Sequence, residues 1–417
     1  MTNKIRIDDL AKPRLTPAQE AAIAYGESRT VHLTVDAVLG AATQASGLDD
    51  FGPDDFRERL ELWLSEMDQD DERTGLGRVS MFDDCVRHAV NRLRIHELLR
   101  RHPEIRDVPI ERPVIVVGLP RSGTTHLVNL IAADERFRSM PLWEAREPVP
   151  DSRETTPPGG ADPRWSRGNR AWDALQSTLP LMASMHPMSP DHVHEELELE
   201  LPDFSSYQIE WAARCPGWRD YYLSHDQTPH YAYMRTVLRI LQWQRPRERW
   251  VLKSPQHLEQ LGPLMATFPD ATVVVTHRDP VSVIQSTATM MTYSARLHYR
   301  HTRPEWYLEY WTDRIRRLLE SAVRDRDRLP ANRTVDVYFH EFMADQFGTV
   351  ERIYSAAGLE FTAEARAQVT AYRDAHPRGK DGQVVYDLRH DFGVTPREVR
   401  SPFGFYLDMF PVREEVR

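Results

Sequence analysis

The sequence predicts an α/β fold: a doubly wound parallel sheet flanked by helices, with a helical N-terminal extension and a long helical insertion. Three observations carry this. Short apolar runs rich in β-branched residues recur at 113–118, 250–253, 272–277 and 334–339. A turn and an amphipathic stretch follow each run. The chain ahead of them, 1–110, shows only helical periodicity. A continuous apolar run of this length suits a strand buried on both faces. Strands alternating with helices imply parallel crossover units.

Taken in order, the first element with a clear face is DDFRERLELWLSEM (54–67), with Phe56, Leu60, Leu62, Trp63 and Met67 near helical spacing. A second helix is expected from Ser80, an N-cap candidate with Asp83 three residues on. Its apolar stripe is Val86, Val90, Leu93 and Leu98. Residues 1–110 therefore read as a cap or packing layer, and 111–417 as the main domain. PVIVVG (113–118) is the first buried strand, followed by a glycine-containing turn and a helix from near Gly123. The insertion, 140–249, opens with EPVPDSRETTPPGGADPR (147–164), a proline-, glycine- and charge-rich loop or lid. Its remainder carries many aromatics and methionines, among them Met182, Met185, Met188, Trp211 and Tyr222. They suit the core of a helical subdomain or an apolar substrate pocket. WVLK and TVVVTH are the next strands, with helices near 256–267 and 279–291. TVDVYF is the fourth, leading into a helix through about 357.

Composition narrows the function. The 417 residues are 41% hydrophobic and 28% charged, with a net charge of −10, which argues against a general nucleic-acid binder. Two cysteines, Cys85 and Cys215, supply neither a disulfide framework nor a cysteine-rich metal site. No apolar run approaches the roughly 20 residues that span a bilayer, so no stable membrane insertion is expected. The start of the sequence lacks the apolar core of a signal peptide, and a cytoplasmic location is expected.

The sharpest motif is Gly118-Leu-Pro-Arg-Ser-Gly-Thr-Thr125, directly after a buried strand and opening a helix. It has the spacing of a P-loop, G-x-x-x-x-G-K-[ST], except that Thr124 stands in the lysine position. Glycines let backbone N–H groups close round phosphate oxygens, and the helix N-terminus adds positive potential. The missing lysine speaks against a nucleoside triphosphate, whose β- and γ-phosphates that lysine reaches. VVVTHRD puts Thr276 where an aspartate usually ends the magnesium-binding strand, so no metal is expected.

On these residues the sequence resembles the sulfotransferases that use 3′-phosphoadenosine 5′-phosphosulfate (PAPS), in their bacterial branch. VIVVGLPRSGTTHL is similar to that family's 5′-phosphosulfate loop. The resemblance implies a P-loop-type sheet and a donor held by Arg121, Ser122, Gly123, Thr124 and Thr125. Many members carry lysine where Arg121 stands. Arginine keeps the charge with a different geometry, and Arg121 doubles as a candidate catalytic cation. HRDPVSVIQS resembles the family's 3′-phosphate motif, with Arg278 and Ser286 eight residues apart. A planar guanidinium fork and a hydroxyl two helical turns on suit a phosphate dianion. HPRGKDGQ resembles the glycine-basic segment over the same phosphate, giving Arg378, Gly379 and Lys380. The acceptor implied is the hydroxyl of a small molecule, lipophilic or aromatic, and the product of the donor is adenosine 3′,5′-bisphosphate (PAP).

Sulfuryl transfer asks for a general base on the acceptor hydroxyl and cations on the leaving phosphate. Lys253 ends a buried strand, where a lysine is seldom structural unless paired, and is the leading cation. His257, four residues on, either assists it or caps a helix. The base candidates lie in SPDHVHEELELELP: Glu196, Glu195 and His194, beside His192. His192 and His194 do not share one helical face, so a zinc site is not read there. Two other functions fit the loop: a small-molecule kinase, and a nucleotide-binding adaptor without catalysis.

Overall fold

Seven strands form among the residues that the computed structural model describes, 3–377 and 379–417. In chain order they are β1 Lys4–Ile5, β2 Val114–Gly118, β3 Phe137–Arg138, β4 Arg249–Ser254, β5 Thr272–His277, β6 Thr334–Tyr338 and β7 Gln383–Val384. The middle five make one sheet in the order β3-β4-β2-β5-β6, every pair parallel. The four apolar runs are thus four of its five strands, β2, β4, β5 and β6, and β3 is a short edge that the sequence reading lacked. From β2 the chain builds out to β3 and β4 on one side, then crosses to β5 and β6 on the other. The crevice beyond the C-terminal end of β2 is therefore the topological switch point, where open α/β sheets bind ligands.

Side chains of β2 alternate between two cores, as a doubly covered strand requires. Val114 and Val116 pack with Leu127, Ile131 and Ile353; Ile115 and Val117 join the larger core on the opposite face. The helix after β2 is Thr124–Ala132, and the one after β5 is Pro280–His298. The second runs longer than expected because Met290, Met291 and Ala295 keep an apolar face for another two turns.

The N-terminal region is built into the molecule. Phe56, Trp63, Met81 and Leu93 share a core with Leu201, Phe204, Trp218 and Tyr222 of the insertion. Its longest helix is Gly75–Arg101, which starts earlier than Ser80. The cap is Thr74, whose Oγ1 accepts from the Gly77 N–H at 3.0 Å. Gly75 and Gly77 are poor helix formers and hid this start in the sequence. Packing selects Gly77, since a Cβ there would lie 2.6 Å from the His298 carbonyl oxygen.

Within the insertion, residues 151–162 carry no regular structure, as expected for the loop. Its base is fixed by Arg167 to Glu147 at 2.7 Å and Arg94 to Asp151 at 2.6 Å. The alternating ELELELPD forms a 3₁₀ helix, Glu196–Asp203, with all eight residues buried. Another buried charge cluster joins two elements: Arg314 of the Pro304–Arg324 helix bridges Glu210 and Glu259 at 2.7–2.9 Å. Among the described residues no helix is long and apolar enough to cross a membrane.

Candidate active site

A cavity of about 1100 Å³ opens where the switch point predicts. Its floor is the loop after β2. Gly123 has φ +89°, and Arg121, a non-glycine, has φ +64°. Both turn the loop so that Gly123, Thr124, Thr125 and His126 face the cavity at the start of their helix. The first-turn amides of a helix have no intrahelical acceptor and favour an anion. Gly118 is required by close approach: a Cβ there would sit 1.8 Å from Thr276 Oγ1. Ser122 turns away from the cavity and is buried. Its hydroxyl donates to the Leu119 carbonyl at 2.6 Å and meets Thr276 Oγ1 at 2.8 Å. It braces the loop through its side chain, and Thr276 is a bracing partner too.

Lys253, 1% exposed, ends β4 beside the loop. Its Nζ donates to Glu195 Oε1 in a short ion pair and to Thr125 Oγ1 at 3.3 Å. Glu195, Lys253 and Thr125 all line the cavity. Glu196 does not. One of its oxygens accepts from the Lys253 backbone N–H at 2.8 Å, and the other meets His257 Nε2 at 2.6 Å. His257 is in turn 2.7 Å from the Tyr231 hydroxyl. The pair Glu196 and His257, read from the sequence as candidate catalytic groups, therefore stands behind Lys253 and outside the cavity lining. The physical reason is the 3₁₀ turn, which points adjacent glutamates in different directions.

His194 lines the cavity, with Nε2 3.5 Å from Glu198 Oε2. Burial alone would raise the Glu198 carboxyl; Arg87, His194 and Arg146 outweigh it and hold it well below the usual range. His186, absent from the sequence reading, stands edge-on to His192, ring centroids 5.6 Å apart. Both imidazoles are pushed down by burial and by nearby cations, His186 to about 3, so both are neutral at pH 7. The signal was the run HPMSPDHVH (186–194), three histidines in nine residues.

Arg121 and Arg278 line the same cavity. Arg121 Nε donates to Ser286 Oγ at 3.0 Å, and its Nη1 to the Met185 carbonyl. Ser286 also donates to the Tyr386 hydroxyl at 3.0 Å. Arg278 stacks 3.9 Å over the Phe339 ring and donates to the Arg121 carbonyl. Its Nε and Nη2 each donate to a Glu415 carboxylate oxygen at 2.7 Å. Nothing local in sequence announces Glu415, which lies 137 residues away. Asp279 caps the Pro280–His298 helix through Val281 N–H at 3.0 Å and accepts from the Glu415 N–H at 2.9 Å. Gly379, φ +75°, turns the chain so that Lys380 lines the cavity; Arg378 lies outside the described residues. Among the described residues no group of three His, Cys, Asp or Glu side chains is arranged to hold a metal ion.

Another part of the wall is apolar. Leu175, Leu179, Met182, Met185 and Met188 come from the insertion, Met290, Met291 and Ala295 from the Pro280–His298 helix, and Met81 from the N-terminal region. The cavity thus joins a cationic, amide-lined end to a methionine-rich one.

Comparison with known proteins gives the same picture. Residues 113–363 match the model of the "Sulfotransferase family". Two solved structures are similar over nearly the whole chain. Sulfotransferase STF9 from Mycobacterium avium is 28% identical, with a TM-score of 0.81 over 93% of this chain and 100% of its own. Sulfotransferase STF1 from Mycobacterium tuberculosis is 30% identical, with a TM-score of 0.75 over 89% and 98%. The omega-hydroxy-beta-dihydromenaquinone-9 sulfotransferase Stf3 of Mycobacterium tuberculosis is 24% identical over 257 residues, 59% of this chain and 63% of Stf3. Its Mycobacterium bovis counterpart matches equally, so the chain spans somewhat under two thirds of these relatives' length.

Proposed function

Since this chain belongs to the sulfotransferase family, we propose that it transfers a sulfuryl group from PAPS to the hydroxyl of a lipophilic small molecule, without a metal. The observation that carries the reading is Lys253, whose Nζ joins the cavity carboxylate Glu195 to Thr125 of the phosphate loop.

The residues present suit such a donor. The first turn of the Thr124–Ala132 helix, with Thr124 and Thr125, fits a 5′-phosphosulfate, and Arg121 and Lys253 add positive charge beside it. Arg278, Ser286 and Lys380 fit a 3′-phosphate, the role the family resemblance implies. Thr124, in place of a P-loop lysine, leaves nothing to reach a third phosphate. Asp279, the carboxylate nearest a metal-binding position, is spent on a helix cap. When bound, PAPS supplies a sulfuryl group activated by its link to the 5′-phosphate.

The chain's own groups do the rest. Glu195 takes the proton of the acceptor hydroxyl; of the three base candidates it alone touches both Lys253 and the cavity. Lys253 moves from Glu195 to the oxygen that gains charge as the phosphate leaves, which also frees Glu195 to act as base. Glu196 and His257 hold the Lys253 backbone in place. The neutral His186 and His192 add polar edges without competing positive charge. The omega-hydroxylated lipid in Stf3's name is the kind of acceptor the methionine-lined wall would suit.

A thermal shift tests the donor. At one hundred times its Kd a ligand adds about 2.7 kcal/mol. Adenosine 3′,5′-bisphosphate should stabilise the protein, whereas ATP with Mg²⁺ should not. Stabilisation by ATP with Mg²⁺ alone would overturn the reading in favour of a kinase.

A further inference from the structure

The cavity is longer than a hydroxyl at the phosphate loop needs. It follows the Pro280–His298 helix past Met290, Met291 and Ala295 as far as His298 and Tyr299. From Ser286, which holds Arg121, to His298 is 298 − 286 = 12 residues, about 18 Å at a helical rise of 1.5 Å. Most of that length is apolar, and its far end is not.

There Arg73 lines the wall and is 3% exposed. Its Nη1 donates to the Tyr299 hydroxyl at 2.9 Å and its Nη2 to the Gly77 carbonyl at 2.8 Å. Its Nε has no partner. On the same Tyr299 ring lies a second buried guanidinium, Arg214, at 3.9 Å from the centroid. Arg214 donates only to neutral oxygens, the His301 and Thr302 carbonyls and the Tyr307 hydroxyl. Among the described residues no carboxylate comes within 4 Å of either arginine. Asp84, the carboxylate that also lines this part of the cavity, is paired with Arg87 at 3.1 Å. Arg214 does not line the cavity and feels the Glu72 carboxylate, whereas Arg73 faces the cavity with no carboxylate of the described residues within 4 Å. Such a buried charge is costly, because buried charges are ordinarily paired. A ligand that brings its own negative charge to this end removes the cost.

We propose that the far end of the cavity is a carboxylate subsite, and that the acceptor is a long-chain omega-hydroxy acid. The hydroxyl lies at Glu195 and the carboxylate at Arg73. An extended chain advances roughly 1.2 Å per bond, so spanning about 18 Å takes roughly 15 bonds, the length of an omega-hydroxy acid of about 14 carbons. This rests on the proposed function for which end reacts, but the subsite itself is defined by binding.

The experiment is therefore a calorimetric titration without donor. Saturated omega-hydroxy acids of 6, 10, 12 and 14 carbons are compared with the diols of equal length. The acid should bind at least tenfold tighter than its diol at about 14 carbons and show no such advantage at 6, which cannot reach Arg73. Diols binding as tightly as acids at every length would overturn the subsite. Arg73→Met, which keeps an apolar stem, should cut the 14-carbon advantage to below twofold and leave adenosine 3′,5′-bisphosphate binding unchanged. Should Arg73→Met not fold, the length series in the unaltered protein still decides. A protein that binds the acids in this pattern but transfers no sulfuryl group would overturn the proposed function and leave the subsite standing.

Discussion

Glu415 occupies two of the donors on the arginine assigned to the 3′-phosphate, and this makes donor affinity sensitive to a residue outside the cavity wall. Both Arg278–Glu415 hydrogen bonds are 2.7 Å, and the side chains are 16% and 26% exposed. Charge-assisted hydrogen bonds contribute about 1.5–3 kcal/mol, whereas solvent-exposed ion pairs contribute about 0.2–1. This partly shielded pair belongs between them, at about 1–1.5 kcal/mol. A phosphate that takes the same two N–H groups must displace the carboxylate and bear that cost. Glu415→Gln keeps the shape and the backbone contact to Asp279 but removes the charge. The bisphosphate should then bind about 5–10-fold tighter, since 1.4 kcal/mol is tenfold. Calorimetric titration with adenosine 3′,5′-bisphosphate reads the change, and adenosine 5′-monophosphate, which lacks the competing phosphate, is the control. An unchanged Kd for the bisphosphate, or an equal gain for the monophosphate, refutes the competition.

Four further outcomes are expected. Lys253→Met should lower kcat by about 10²–10³ if Lys253 holds charge in the transition state, in a PAPS-dependent assay at saturating donor. Glu195→Gln should lower kcat by about 10²–10⁴, the usual range for loss of a general base; bisphosphate binding should be retained. Arg314→Met leaves Glu210 and Glu259 buried without their cation, a loss of about 3–5 kcal/mol. At about 2.1 cal/mol/K per residue over 417 residues that is a fall in Tm of about 3–6 °C by calorimetry. Finally, burial and the neighbouring Arg87 push His88 down to about 3, from 6.5. The unfolded chain therefore binds the proton more readily between pH 6.5 and 3, and folding loses stability as pH falls through that window. By pH 5 the loss approaches about 2 kcal/mol, at 1.36 kcal/mol per unit. His88→Gln should flatten the urea midpoint between pH 7 and 5, and an unchanged slope would show that other groups set it.

The parts legible in sequence were those whose chemistry is local. The Gly118–Thr125 loop announced itself because strand, turn and helix are contiguous, although the close contacts that require Gly118 come from Thr276 on the neighbouring strand. Lys253 stood out because a cation at the end of an apolar run needs a reason. What could not be read was direction and distance. Glu195 and Glu196 are neighbours in sequence, yet a 3₁₀ turn sends one to the cavity and the other behind β4. The ELELEL alternation imitates a strand, but each acid is buried against its own partner: His257, Arg87, Gln256. The far end of the cavity joins Arg73 to Tyr299, and the near end joins Arg278 to Glu415. Both pairings span more than 100 residues, and no local pattern encodes them.

The pairing of β1 with β7 has a kinetic side. Gln383 and Val385 donate to the Asn3 and Ile5 carbonyls at 2.8 Å, closing a loop of nearly the whole chain. Closing so long a loop adds only slowly to the entropic cost, but it must wait until everything between has condensed. Two-residue strands held by so few bonds also open at far lower free energy than the sheet itself. The cavity therefore has its phosphate loop on the central sheet and its Lys380 segment on a part of the molecule that opens more readily.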